Sequence, residues 1–292
     1  MNGRALASAL VLAALVVSPE GRSAGPQSDT ELRLAVLPCT NIETTFRKFH
    51  PLLAHLKART GYAVTLVLPV ELTRLETDTL HGRIDFALQD PHTFQQVSHL
   101  FDTTALLQTR SLDGTLGQSA VVIVRRDSGV AAPEQLRGRT VMFGPQTSSS
   151  KWVAARQLFE ARGLAVDRDL KVTNGGCCED IAFAVIVRSV DAGVICDHFL
   201  DQHGARQREL GVDPAVLSVI GRTAAYPTRV FAARKGLPAK VVTAITEALL
   251  EIDATRPPGA AMLESIEARG FVRTTEAEYL KSLAAPPPPA RP

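Results

Sequence analysis

Apolar and polar residues alternate over Leu32-Arg33-Leu34-Ala35-Val36-Leu37, a spacing that predicts a strand closed by Pro38. Beyond the loop Cys39-Thr40-Asn41, Leu52, Leu53 and Leu56 follow Pro51 with helical spacing. That predicts a helix starting near Pro51 and ending at Gly61. Residues 63–68 read as a second strand and 72–81 as a second helix stopped by Gly82. Residues 84–88 read as a third strand running into Gln89-Asp90-Pro91-His92. The order βαβαβ predicts a largely parallel sheet with helices on its faces.

A second series begins with an apolar strand at 119–124, turned by Arg125-Arg126-Asp127-Ser128-Gly129. Strands follow at 140–143, 170–172, 191–196, 216–220 and 229–233. Helices are predicted from about 151 to Gly163 and over 181–188, 241–252 and 262–268. Pro286-Pro287-Pro288-Pro289 marks residues 286–292 as an extended, solvated tail. Between the 140–143 strand and the helix after it lies Gly144-Pro145-Gln146-Thr147-Ser148-Ser149-Ser150-Lys151. A strand, a hydroxyl-rich turn and a helix N-terminus aim free N–H groups and hydroxyls at one spot, which suits a small oxyanion. The same residues also serve as an ordinary helix cap.

The chain has 292 residues, 45% hydrophobic and 21% charged, with a net charge of +2. That balance is globular and carries no nucleic-acid footprint. At the N-terminus Arg4 precedes an apolar run over 5–17 broken only by Ser8, followed by Pro19 and the small pair Ser23-Ala24. This pattern predicts a signal peptide over 1–24, and so an exported, soluble, periplasmic protein that is not membrane-embedded after cleavage. Disulfides are permitted in that compartment.

Four cysteines, Cys39, Cys177, Cys178 and Cys196, all fall on predicted strand-to-helix loops, outside the predicted helices and core faces. A disulfide is one reading. Cys177 and Cys178 are adjacent, so one of them would pair with Cys196 or Cys39. The other reading is a thiol site, because thiolates select soft centres. Cys196-Asp197-His198 lacks metal-ligand spacing, and no metal or cofactor is predicted. The one Gly-x-Ser-x-Gly match, Gly21-Arg22-Ser23-Ala24-Gly25, falls at the end of the predicted signal peptide and not between a strand and a helix, and there is no Cys-His-Asp order, so a binding protein is expected rather than an enzyme.

Residues 121–129, Leu136-x-Gly138-x-x-Val141-x-Phe143, Ser148-Ser149-Ser150 and Val190-Asp191-Ala192-Gly193 together carry a resemblance. In that order they are similar to the PhnD-like periplasmic phosphonate-, phosphite- and phosphate-binding proteins of ABC transport systems, a group that includes arsenic-oxyanion sensors (AioX-like). The resemblance implies an α/β, two-lobed periplasmic-binding-protein type II fold. Lobe one would hold 30–115 and 225–285, lobe two 116–224, with crossings near Gly117-Gln118 and 223–226 and hinge closure on the ligand. The family's anion loop falls on Thr147, Ser148, Ser149 and Ser150. Its His-plus-acid turn falls on Cys178 and Glu179, and a later acidic residue on Asp197. Where the family presents aromatics, this chain has Phe94 and Cys39. Cys39 and Thr40 on the first cleft loop, with Cys177, Cys178 and Cys196 across from them, complete the expected ligand set. Two carboxylates would repel a phosphate dianion, whereas arsenite is uncharged at neutral pH and exchanges hydroxyl for sulfur. The placement of the cysteines therefore points to arsenite, presented to a sensor histidine kinase as in the arsenic-sensing members that the chain resembles. Its alternative is a phosphite, phosphonate or phosphate delivered to a membrane permease.

Overall fold

The computed structural model describes residues 31–38, 41–202 and 211–284. Residues 1–24, predicted as a signal peptide, Cys39, Thr40 and residues 286–292, predicted as an extended tail, lie outside the described residues. The first sheet contains β1 (Leu32–Val36), β2 (Val64–Val67), β3 (Phe86–Gln89), β4 (Phe101–Thr109), β12 (Val230–Arg234) and β13 (Phe271–Thr274), in the order β13-β4-β12-β3-β1-β2. Strands β2, β1 and β3 are parallel, and β12 runs antiparallel to both β3 and β4. The second sheet contains β6 (Ala120–Arg125), β7 (Thr140–Phe143), β8 (Lys171–Asn174), β9 (Ala192–Cys196) and β10 (Leu217–Arg222), in the order β10-β6-β9-β7-β8. The chain passes between the sheets at β5 (Gly117–Gln118) and β11 (Tyr226–Pro227). These two pair antiparallel, Tyr226 opposite Gln118.

Both sheets are covered on both faces, and this explains the unbroken apolar runs. Leu34 and Val36 of β1 join the cluster under α1 (Ile42–Thr60), while Ala35 joins the opposite cluster with Leu75 and Phe94. In β6, Ala120, Val122 and Val124 enter one cluster, and Val121 and Ile123 the other. Helix α1 starts at Ile42, well before the predicted Pro51. Asn41 Oδ1 accepts the Thr44 N–H at 2.8 Å, and Thr45, Phe49, Leu52 and Leu56 form the buried stripe through the proline. Its end is as predicted: Gly61 is left-handed (φ 77°) and its N–H reaches the Lys57 carbonyl.

Among the described residues the remaining α-helices are α2 (Leu72–Leu80), α3 (Pro91–Val97), α4 (Ala155–Ala161), α5 (Val166–Asp169), α6 (Cys178–Ile186), α7 (Phe199–Gln202), α8 (Ala239–Leu250), α9 (Pro257–Ser265) and α10 (Glu276–Ala284). Helix α6 lies very close to the second sheet. A Cβ on Gly193 would come within 2.5 Å of Ile181 Cγ2, and one on Gly175 within 2.6 Å of Ile181 Cγ1. This approach sets the first residue of α6, Cys178, against the last residue of β9, Cys196. Phe94, which stands where a ligand-facing aromatic was expected, is instead fully buried in an edge-on contact with Tyr279 at 5.6 Å between ring centres.

Candidate functional site

The strand ends of the two sheets face each other across a cavity of about 120 Å³. Leu37 and Pro38 after β1, Asp90 after β3, Arg229 before β12 and Glu267 after α9 enclose it on the first-sheet side. Gln118 of β5, the loop residues Thr147, Ser148, Ser150 and Lys151, and Cys196 of β9 close it on the other. Ligands of open α/β sheets bind beyond the carboxyl ends of parallel strands, where this cavity lies.

The loop is built as the sequence implied, with one difference. Residues Ser149–Ala154 form a π-helical turn before α4, with the Val153 N–H bonded to the Ser148 carbonyl at 3.2 Å. Ser148 Oγ accepts the Lys151 N–H at 3.2 Å. Lys151 is only 6% exposed, and its ammonium donates to the Gly176 carbonyl at 3.3 Å. Gly144 makes room for this lysine, since a Cβ there would lie 2.5 Å from Lys151 Cβ.

Ser149 is committed elsewhere. Its N–H donates to Asp90 Oδ1 at 2.9 Å and its hydroxyl donates to the same oxygen, while the His92 N–H reaches Ser149 Oγ at 2.8 Å. Asp90 thus links the two sheets. Burial pushes its carboxyl above the usual range, against the hydrogen bonds from Ser149 and His92. Replacing Asp90 by alanine strands those donors and should cost about 2 kcal/mol, whereas Asp90→Asn keeps an accepting oxygen and should lose less than half of that. Urea unfolding of the two variants measures the difference.

Further cations meet at the cavity. Glu267 is desolvated, yet Lys48 (Nζ to Oε1, 2.9 Å) and Arg229 outweigh this and lower its pKa to about 2. His198 Nδ1 lies 3.3 Å from Gln118 Nε2. Burial works against its charge, but Asp197 and Glu267 raise its pKa overall. Thr93 Oγ1, at the cavity wall, is buried without a hydrogen-bond partner among the described residues. An unsatisfied hydroxyl at that place is what a bound ligand would complete.

The cysteines are not loop residues clear of the core. Helix α6 starts three residues before the predicted 181, so Cys178 is its first residue. Cys178 and Cys196 both belong to the cluster of Ile181, Val185, Ile195 and Phe199. Cys177, Cys178 and Cys196 are free thiols. The Cys196 N–H donates to Cys178 Sγ at 3.2 Å. The Cys196 contact, and then Lys151, lower the Cys178 pKa to about 6 against the effect of burial, while Cys196 is pushed up. Cys177, capping α6, is pushed up by burial and does not line the cavity.

Glu179, half-buried in the first turn of α6, does not line the cavity either. Asp197 accepts from Arg222 Nη1 at 2.9 Å and from the His198 N–H at 2.9 Å. Neither acid is among the residues that line the cavity. Cys39 and Thr40 lie outside the described residues. Among the described residues no group of three or more His, Cys, Asp or Glu is arranged to hold a metal ion.

Residues 34–279 match the family described as "ABC transporter, phosphonate, periplasmic substrate-binding protein". The chain belongs to this family. The phosphonate-binding family's fold is also seen in solved structures. A binding-protein component of an ABC phosphonate transporter (PA3383) from Pseudomonas aeruginosa has a TM-score of 0.72 at 16% identity, covering 87% of this chain and 84% of that one. PhnD1 from Prochlorococcus marinus, in complex with methylphosphonate, scores 0.73 at 13% identity, covering 86% and 95%. These likenesses establish the two-lobed type II periplasmic-binding fold. Among curated proteins, the tetrathionate sensor histidine kinase TtrS of Salmonella typhimurium is 23% identical over 266 residues, 87% of this chain. The chain spans only 44% of that kinase's length. No helix among the described residues is long and apolar enough to cross a membrane.

Proposed function

We propose that this chain is an exported periplasmic receptor that captures a small, thiol-reactive oxyanion between its lobes and presents it to a sensor histidine kinase. One observation carries this reading: Cys196, backed by Cys178, lines the same cavity as Thr147, Ser148, Ser150 and Lys151. The loop and Lys151 suit oxygen atoms and negative charge, and the thiols suit a soft centre. Arsenite meets both demands, because the dithiol can replace two of its hydroxyls. A sulfur oxyanion with an S–S bond meets them too, and the similarity to a tetrathionate sensor supports that member of the class. Membership of a phosphonate-binding family supports a second reading, delivery of phosphite, phosphonate or phosphate to a permease.

Calorimetry of the reduced protein against arsenite, tetrathionate, phosphate, phosphite and methylphosphonate tests the class. Heat with arsenite or tetrathionate, and not with the other three, is the expected result; heat with phosphite or methylphosphonate alone favours the permease. The double variant Ser148→Ala/Ser150→Ala removes two hydroxyls from the wall and should weaken whichever anion binds by roughly 10- to 100-fold. Unchanged affinity for every oxyanion would remove the loop from the site.

A further inference from the structure

The geometry points to Cys178 and Cys196 as a redox-active dithiol that reduces a sulfur oxyanion containing an S–S bond and is itself left as a disulfide. This rests on the reading of the cavity as an oxyanion site and goes beyond binding. Two thiols from different elements, the start of α6 and the end of β9, share one hydrophobic cluster, where the Cys196 N–H lies 3.2 Å from Cys178 Sγ and Gly193 sets the closeness of helix and sheet. One of them, Cys196, forms part of the cavity wall. Plain packing does not call for such a pair. A thiolate at a helix N-terminus near a buried lysine is in an activating environment.

The chemistry balances without another oxidant. At neutral pH the pair holds one proton, placed between Cys178 thiolate and Cys196 thiol. Cys196 Sγ, the sulfur at the wall, attacks one of the two central sulfurs of tetrathionate and passes its proton to Cys178. The central S–S bond breaks, thiosulfate leaves with the bonding pair, and Cys196 carries an S-thiosulfate group. Cys178 then loses its proton to solvent and attacks Cys196 Sγ, expelling a second thiosulfate. The thiols are oxidised by two electrons, and one tetrathionate is reduced to two thiosulfates. Lys151 and the hydroxyls of Ser148 and Ser150 are placed to hold the departing anion. Cys177, buried with its thiol pushed up and absent from the cavity wall, takes no part.

The test uses the reduced wild-type chain, without oxygen, mixed with tetrathionate at neutral pH. Two thiosulfates should be released per chain, two thiols should be lost, and digestion followed by mass spectrometry should locate a Cys178–Cys196 disulfide. Cys178→Ser should stop at a thiosulfate adduct on Cys196, with one thiosulfate released at a rate about tenfold lower. Cys196→Ser should release none. Tetrathionate that binds with measurable heat while all thiols remain titratable would overturn the redox step and leave the binding reading intact. So would a disulfide mapped to any other pair. Absence of heat with every oxyanion would instead overturn the cavity reading itself. The wild-type experiment decides the matter even if a serine variant folds poorly, which circular dichroism reports.

Discussion

Replacing Lys151 by methionine should weaken binding of an anionic oxyanion by about a hundredfold, the equivalent of one charge-assisted hydrogen bond of roughly 2.7 kcal/mol lost from a dry site. The lysine is 6% exposed and passes over Gly144 to place its ammonium 3.3 Å from the Gly176 carbonyl, at the cavity wall. Methionine keeps most of the length and packing, so the fold should survive and any loss should be electrostatic. The same change should raise the pH at which Cys178 ionises. The Cys196 hydrogen bond is the larger reason for its value of about 6, and the Lys151 charge adds to it. Calorimetry with tetrathionate and phosphate, and thiolate absorbance followed against pH, read the two effects separately. Loss of binding without a thiol shift would separate anion recognition from thiol activation. A thiol shift without loss of binding would move the anion away from the loop.

The loop was legible because its signal is local: an apolar strand, a run of hydroxyls and a helix follow each other directly in the chain. The alternation of strands and helices through β3 was legible for the same reason, each element carrying its own period. What the sequence hid was set by long-range contact. Strand β4 mixes a buried half, Leu106–Leu107–Gln108–Thr109, with a half in which Phe101 is buried, Asp102, Thr103 and Ala105 are half-buried and Thr104 is exposed, so no single period runs along it. Strand β13 is only four residues long and alternates weakly. The start of α1 was hidden by Pro51, although Asn41 carried a capping signal three residues before Thr44. In the site, Lys151 stood beside the loop but its direction depends on Gly144. Asp90 is the N-cap of α3, and its contact with Ser149 crosses 59 positions. Arg229 and Glu267 come from segments with no local chemical pattern, and only the fold brings them to the cavity. The packing of Cys178 and Cys196 into a core could not be read until α6 was known to start at Cys178.

Replacing Glu267 by glutamine should remove a pH-dependent part of the stability. Burial opposes ionisation of Glu267, yet Lys48 and Arg229 bring its pKa from the ordinary 4.5 down to about 2. A carboxyl lowered by folding stabilises the native state above its unfolded pKa, and that contribution is lost as pH falls through the window from 4.5 to about 2. Taken at face value the shift corresponds to roughly 3 kcal/mol; because 37% of the side chain is accessible, solvent screening reduces the expected loss to about 1–2 kcal/mol. Asp90 works in the opposite sense, since a carboxyl raised by burial loses its contribution as pH rises. Other salt-bridged acids also titrate on the acid side, so the difference between wild type and variant, from urea unfolding at a series of pH values, isolates Glu267. That difference should be constant above pH 4.5 and shrink below it. Glu267 is left-handed at φ 57°, and glutamine leaves this backbone cost unchanged, so the measured change belongs to the charge. The variant should also lower the pKa of His198 across the cleft, where burial already opposes the charge and Glu267 is one of the groups that sustain it. A stability difference that persisted unchanged to pH 2 would show that Lys48 and Arg229 need the carboxyl for packing rather than for charge.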